Sequence, residues 1–211
     1  MSGVHNLRSP RWIQVVMSRV LLIVLGMMLA TGHAGRATET DVVNQARLDD
    51  QAAAQDREIR DLIASLNNTD VDALRDSKSK GRAAIEKLQM MSEQAAPAVA
   101  TMLSEGHKNR KEPKGWIQVY RPLYILKGMG EHAKVALPDV IKALDDGYGP
   151  VAGAAAEVLG NMGPAAKVAV PDLLRVWGKS TKIPGRPNAT KALADALKKI
   201  DPETAEKAGI K

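Results

Sequence analysis

Residues 129–142 read MGEHAKVALPDVIK, and residues 162–175 read MGPAAKVAVPDLLR. Eight of these fourteen positions are identical at a shift of 33. Four more exchange like for like: Leu137 with Val170, Val140 with Leu173, Ile141 with Leu174, and Lys142 with Arg175. A self-match of this length at fixed phase marks stacked supersecondary units, each too small to bury its apolar side alone. The chain must therefore solve its core in series.

One unit can be read from its residues. A first helix is expected to end at Met129-Gly130 or Met162-Gly163, where glycine can supply the backbone that closes a helix. A short turn rich in Ala and Lys follows. Pro138 and Pro171 then stand where a second helix should begin, because proline is tolerated only in the first turn. Asp139 and Asp172 lie beside them, complementing the positive end of the helix. Leu137, Val140, Ile141 and Leu144 fall at helical spacing, as do Val170, Leu173, Leu174 and Trp177, so each second helix carries one apolar stripe. Composition agrees: apolar residues make up 45% and aromatics 3%, with no Phe. A core of Ala, Leu, Val, Ile and Met suits closely packed helices better than a sandwich of sheets.

The phase recurs more faintly on either side. LQMMSEQAAPAVATML (88–103) aligns with 126–144 after a three-residue shortening, which pairs Pro97 with Pro138 and Leu103 with Leu144. ALADALKKIDPETAEKAG (192–209) aligns with 154–169 at an offset of 38, pairing Leu197 with Leu159 and Pro202 with Pro164. The added residues fall in STKIPGRPN (180–188), a loop composition. The pattern resembles HEAT repeats of the bacterial class named for the phycobilisome (PBS) lyases, over about residues 70–209. The first unit, NNTDVDALRDSKSKGRAAIEKL, lacks the closing glycine pair. The resemblance implies an all-α fold: a short, armadillo-like α-solenoid of about four HEAT-like helix pairs, whose curved surface serves protein contacts.

Ahead of the repeats, DVVNQARLDDQAAAQDREIRDLIASL (41–66) has no Gly or Pro. Its apolar stripe strengthens late, at Ile59, Leu62, Ile63 and Leu66. This predicts an N-terminal helix whose second half caps the first repeat and whose first half is a solvated tether. The extreme N-terminus reads as a secretory signal peptide over residues 1–34. Arg8, Arg11 and Arg19 precede the apolar run VLLIVLGMMLA, and the small residues of TGHAGRA follow. An apolar run this short falls well below the ~20 residues of a stable membrane span. The expected organisation is a leader (1–34), a helix or tether (38–69) and a repeat domain (70–211), with an exported, periplasmic or extracellular address. Membrane attachment is expected only if the leader stays uncleaved.

Chemistry-bearing patterns are sparse. Setting aside the three leader arginines lowers the formal charge from +6 to about +3, too even a balance for a nucleic-acid binder. Without cysteine there are no disulfides, thiol nucleophiles or thiolate-bound metals. Beyond the leader the histidines are His107 and His132, neither in an HExxH arrangement, and Glu131-His132 reverses the order of the paired steps in iron-dependent HEAT-like hydroxylases. No metal site, cofactor or catalytic residue is expected. Neither GxSxG nor SxxK occurs. Gly128, Gly130, Gly160 and Gly163 are read as helix terminators, not as a phosphate cradle. The basic run HKNRKEPKG (107–115) reads as a solvated loop between repeats.

GWIQVYRPLYILKG (115–128) carries three of the five aromatics beyond residue 34. Trp116, Tyr120 and Tyr124, at four-residue spacing and flanked by Arg121, form the candidate partner-binding surface, since these residue types are enriched in interface hot spots. Core packing with the hydroxyls reaching the edge accounts for the same spacing, and Pro122 is expected to kink or interrupt the helix. The expected function is a non-enzymatic scaffold that binds a protein or peptide along the face lined by the second helices. The alternative is an enzyme or enzyme subunit resembling the HEAT-like bilin lyases. N-terminal sequencing of the exported protein should find a chain beginning after Ala34 or Ala37; an intact Met1 would make the leader an anchor.

Overall fold

The structure is a computed structural model that describes residues 39–67, 76, 78–180 and 187–210. The expected leader (1–34) and most of the expected loop at 180–188 lie outside the described residues. Among those described, the regular structure is all helical and no strand occurs. The helices are α1 (Glu39–Asn67), α2 (Lys80–Met90), α3 (Ser92–Lys108), α4 (Trp116–Leu126), α5 (Leu137–Ala143), α6 (Gly149–Met162), α7 (Val170–Ser180), α8 (Pro187–Ile200) and α9 (Pro202–Lys207). Two 3₁₀ segments, Gly130–Ala136 and Gly163–Ala169, lead into α5 and α7. None of the described helices is long and apolar enough to cross a membrane.

The chain divides into two compact units within α1, after Ala54. In the first, the described part of α1 is largely exposed, Val43 and Leu48 included. In the second, Gln55–Lys211, the stripe at the end of α1 turns inward. Ile59 and Leu66 are buried, Leu62 and Ile63 pack against the core, and Glu58 pairs with Lys87 of α2.

The repeat in the sequence is a repeat in the backbone. Each 3₁₀ segment starts at a glycine with positive φ, Gly130 at 55° and Gly163 at 59°. With a ψ of −139°, Gly163 occupies a region essentially closed to residues bearing a Cβ. Three residues per turn place positions i and i+3 on one face. That face is Ala133 and Ala136 in one segment and Ala166 and Ala169 in the other, all at most 1% exposed. Lys134 and Val135, like Lys167 and Val168, point to solvent. Leu137 and Val170 then occupy equivalent seats, each opening the following α-helix and joining the core. Val140 and Leu173 are fully buried one turn later.

Three local expectations are corrected. α4 runs uninterrupted through Pro122. The proline withdraws only the N–H that Gln118 would have received, and Gly106 of α3 lies against that carbonyl, where a Cβ would come within 2.2 Å of the oxygen. Val119, Leu123, Ile125 and Leu126 hold the helix in the core on both sides of the proline. Pro97 does not open a second helix, because α3 begins five residues earlier, at Ser92. With no glycine of positive φ after α2, the segment before Pro97 stays α-helical instead of forming a 3₁₀ turn. Finally, Gly160 does not end a helix. It lies inside α6 and packs on Ala196 of α8.

The first helices of successive units pack side by side: α2 on α4, α4 on α6, and α6 most extensively on α8. A Cβ on Gly153 would lie 3.5 Å from the Cα of Ala189, and one on Gly160 would lie 3.0 Å from that of Ala196. Both pairs advance by seven residues in the same direction, so α6 and α8 are parallel. Hydrogen bonds tie the C-terminal ends of these helices in a row. Gln89 Nε2 donates to the Ile125 carbonyl at 3.1 Å, Asn161 Nδ2 to the Lys127 carbonyl at 2.9 Å, and Lys199 Nζ to Asn161 Oδ1 at 3.1 Å. Two carbonyls at the C-terminal end of α4 are thereby met from its neighbours, Ile125 from α2 and Lys127 from α6. Truncating Leu173 to Ala should cost about 2–5 kcal/mol of unfolding free energy in chemical denaturation. Lys142→Ala, on the exposed side of α5, should shift it by less than about 0.5 kcal/mol.

Candidate functional site

Trp116, Tyr120 and Tyr124 form a ridge along α4, with ring centroids 6.1 and 6.2 Å apart in turn. Tyr148, just before α6, extends it, its ring 4.7 Å from Trp116. At the other end Arg82 Nη1 donates to the Tyr124 hydroxyl at 2.8 Å, and Lys127 Nζ lies 5.0 Å from the Tyr124 ring, within cation–π range. The four residues expected to meet a partner are thus neighbours but differ in access. Trp116 and Tyr124 are half-buried, whereas Tyr120 and Arg121 are 8% and 3% exposed. Burial pushes the Arg121 guanidinium below its ordinary pKa. A partner on this ridge would touch the edges of Trp116, Tyr124 and Tyr148, while Tyr120 and Arg121 are buried.

On the second-helix side the charges are engaged between units. Arg110, after α3, grips Asp146 through Nε and Nη2 at 2.6 and 2.7 Å. Arg175 of α7 grips Asp145 through two bonds of 2.6 Å and also reaches Asp172 at 2.9 Å. The Asp145-Asp146 turn is thereby clamped by the unit before it and the unit after it. His107 Nε2 lies 2.9 Å from the Asp139 carbonyl, a third bond of the same reach.

A groove of about 470 Å³ opens between α6 and α8, with Lys127 at one end. Ala156, Gly160, Ala192 and Ala196 form its apolar floor, and Glu157, Asn161, Asn188, Lys191, Asp195 and Lys199 stand around it. Lys127 pairs with Glu157 at 3.0 Å and Lys191 with Asp195 at 2.5 Å. The Lys191 hydrogen bond, followed by the charges of Lys191, Lys198 and Lys199, holds the Asp195 carboxyl below the usual range. The groove was not among the sequence-predicted sites. Its signal was the polar i, i+4 run Lys191, Asp195, Lys199 beside alanines at 192 and 196, which reads alone as an ordinary solvated helix face.

Among the described residues no group of three His, Asp or Glu side chains could hold a metal ion. A scan against protein-family models and searches of curated proteins and of solved structures returned no match to this chain.

The clamped turn gives the surface a pH dependence. Burial acts to raise the pKa of Asp146, but the Arg110 hydrogen bond, the Tyr148 N–H and the charges of Arg110 and His107 outweigh it, and the carboxyl stays below its ordinary value. A depressed native pKa contributes stability that is complete above the unfolded value, about 3.9, and is lost as pH falls through the native one. Asp146→Ala should therefore cost about 1.5–3 kcal/mol at pH 7. The gap between wild type and variant in urea melts should close as the pH falls below about 4.

Proposed function

We propose that this chain is an exported, non-enzymatic interaction module: a short α-solenoid of about four HEAT-like helix pairs that binds a protein or peptide on its repeat surface. The helix pairs are α2–α3, α4–α5, α6–α7 and α8–α9, with the end of α1 as the cap.

One observation carries the solenoid reading. Most side-chain hydrogen bonds that reach between helices join positions about one repeat apart, from 30 residues (Arg175 to Asp145) to 42 (Arg82 to Tyr124), while Thr190 of α8 donates to Ser180 of α7 over a shorter separation. Such a chain holds together by nearest-neighbour contacts and exposes long rows of equivalent positions, which favours recognition of an extended or broad partner. The charged groups that might otherwise do chemistry are engaged in tying units together, the Arg110–Asp146 and Arg175–Asp145 clamps above all. The apolar run and small residues of the leader supply the exported address.

The test is affinity capture from the cell envelope and culture medium on the immobilised full chain, followed by calorimetry with each captured protein in purified form. A saturable, stoichiometric complex is the expected result. Absence of any saturable partner would remove the interaction reading, and turnover of a small molecule, including a spectral change on mixing with a bilin and an acceptor, would replace it.

A further inference from the structure

Resting on that reading, we infer that the groove between α6 and α8 takes an extended peptide whose side chains on one face run acidic, basic, acidic. Its wall on α8 offers Lys191, Asp195 and Lys199, one helical turn apart and alternating in sign. At 1.5 Å of rise per residue these charges recur about every 6 Å. Along an extended chain, side chains on the same face recur every two residues, about 6.6–6.8 Å. The two spacings differ by under about 1 Å per step, so three consecutive charges on each side can meet in register.

The opposite wall does not blur this pattern. Glu157 is held by Lys127, and the Asn161 amide is engaged by the Lys127 carbonyl and by Lys199. Lys199 donates to that amide oxygen, so at this contact its charge is not met by a carboxylate. Lys191 and Asp195 pair with each other, but their side chains are 77% and 44% exposed. An exposed pair one turn apart contributes little and can be exchanged for a partner's charges. The groove is also of ligand-binding size. Large side chains reach across other junctions between first helices. Gln89 spans α2 to α4, and Tyr148 covers Trp116 at the start of α6.

Two blocked heptapeptides test the inference on the full chain by calorimetry at low salt: TETKTET and its sign-inverted counterpart TKTETKT. Their threonine spacers favour an extended backbone. TETKTET should bind at least about tenfold more tightly, with the ratio shrinking as salt rises. The variant K191E/D195K/K199E keeps its own pairs one turn apart and should reverse the preference, while its circular dichroism stays that of the wild type. Equal affinities, no binding of either peptide, or a preference that survives the charge swap would overturn the groove assignment. A captured partner that binds this variant as well as the wild type would overturn the groove alone and leave the interaction module standing; peptide discrimination without any captured partner would do the reverse.

Discussion

Gly153 and Gly160 let α6 lie directly against Ala189 and Ala196 of α8, and this approach sets what the neighbouring helices must do. α6 is apolar around nearly its whole circumference: Val151 through Ala156, and then Val158, Leu159, Gly160 and Met162, are all buried. Such a helix has no stable existence in water on its own. It needs α4 on one flank, α8 on the other and the second-helix layer beneath. Side chains larger than Ala at 153 or 160 would push α8 away and expose alanine faces too small to re-pack by changing rotamer. The high Ala and Gly content of α6, which lowers the apolar area each residue can bury, is what permits the approach.

Polar bonds between units follow the same serial logic. Along the C-terminal ends of the first helices, Gln89, Asn161 and Lys199 each reach to the neighbouring unit. On the other side the Asp145-Asp146 turn receives one arginine from each neighbour. A unit removed from this series would lose both its apolar cover and the groups that satisfy its helix ends. These bonds couple each helix end to helices packed beside it.

The repeated unit was readable because its signals are local. The pairs Met129-Gly130 and Met162-Gly163, with Pro138 and Pro171 nine residues after the first Met of each pair, mark a backbone break and a restart. The structure turns these into the 3₁₀ segments and the starts of α5 and α7. Where the local signal had two meanings, the reading went astray. Gly160 looks like a terminator by analogy with Gly163, but its use is contact with Ala196, a partner 36 residues away that spacing along one helix does not reveal. Pro122 looks like a break, yet Gly106, contributed by a different helix, lies over the carbonyl that the proline leaves without its donor. Arg121 joined the candidate surface because Arg is enriched in interface hot spots, and only the packing of α4 places it in the interior. The all-helical class and the inward stripe at Ile59 and Leu66 needed no such long-range information.

The groove is a by-product of the close contact that anchors α6. Helices built of Ala and Gly at their junction come close along the centre line, but the same small residues at 156, 160, 192 and 196 leave the valley above that line unfilled. Larger side chains at these positions would fill the valley and separate the helices together. Strong packing and an open groove are thus linked through one choice of residue size. The long side chains of Lys191 and Lys199 can line such a groove because their charged ends remain in water while their stems lie along the alanine floor. A surface that combines a rigid apolar floor with alternating charges discriminates by sign and register more than by area, which makes charge pattern, not hydrophobicity, the property by which a partner of this face would be selected.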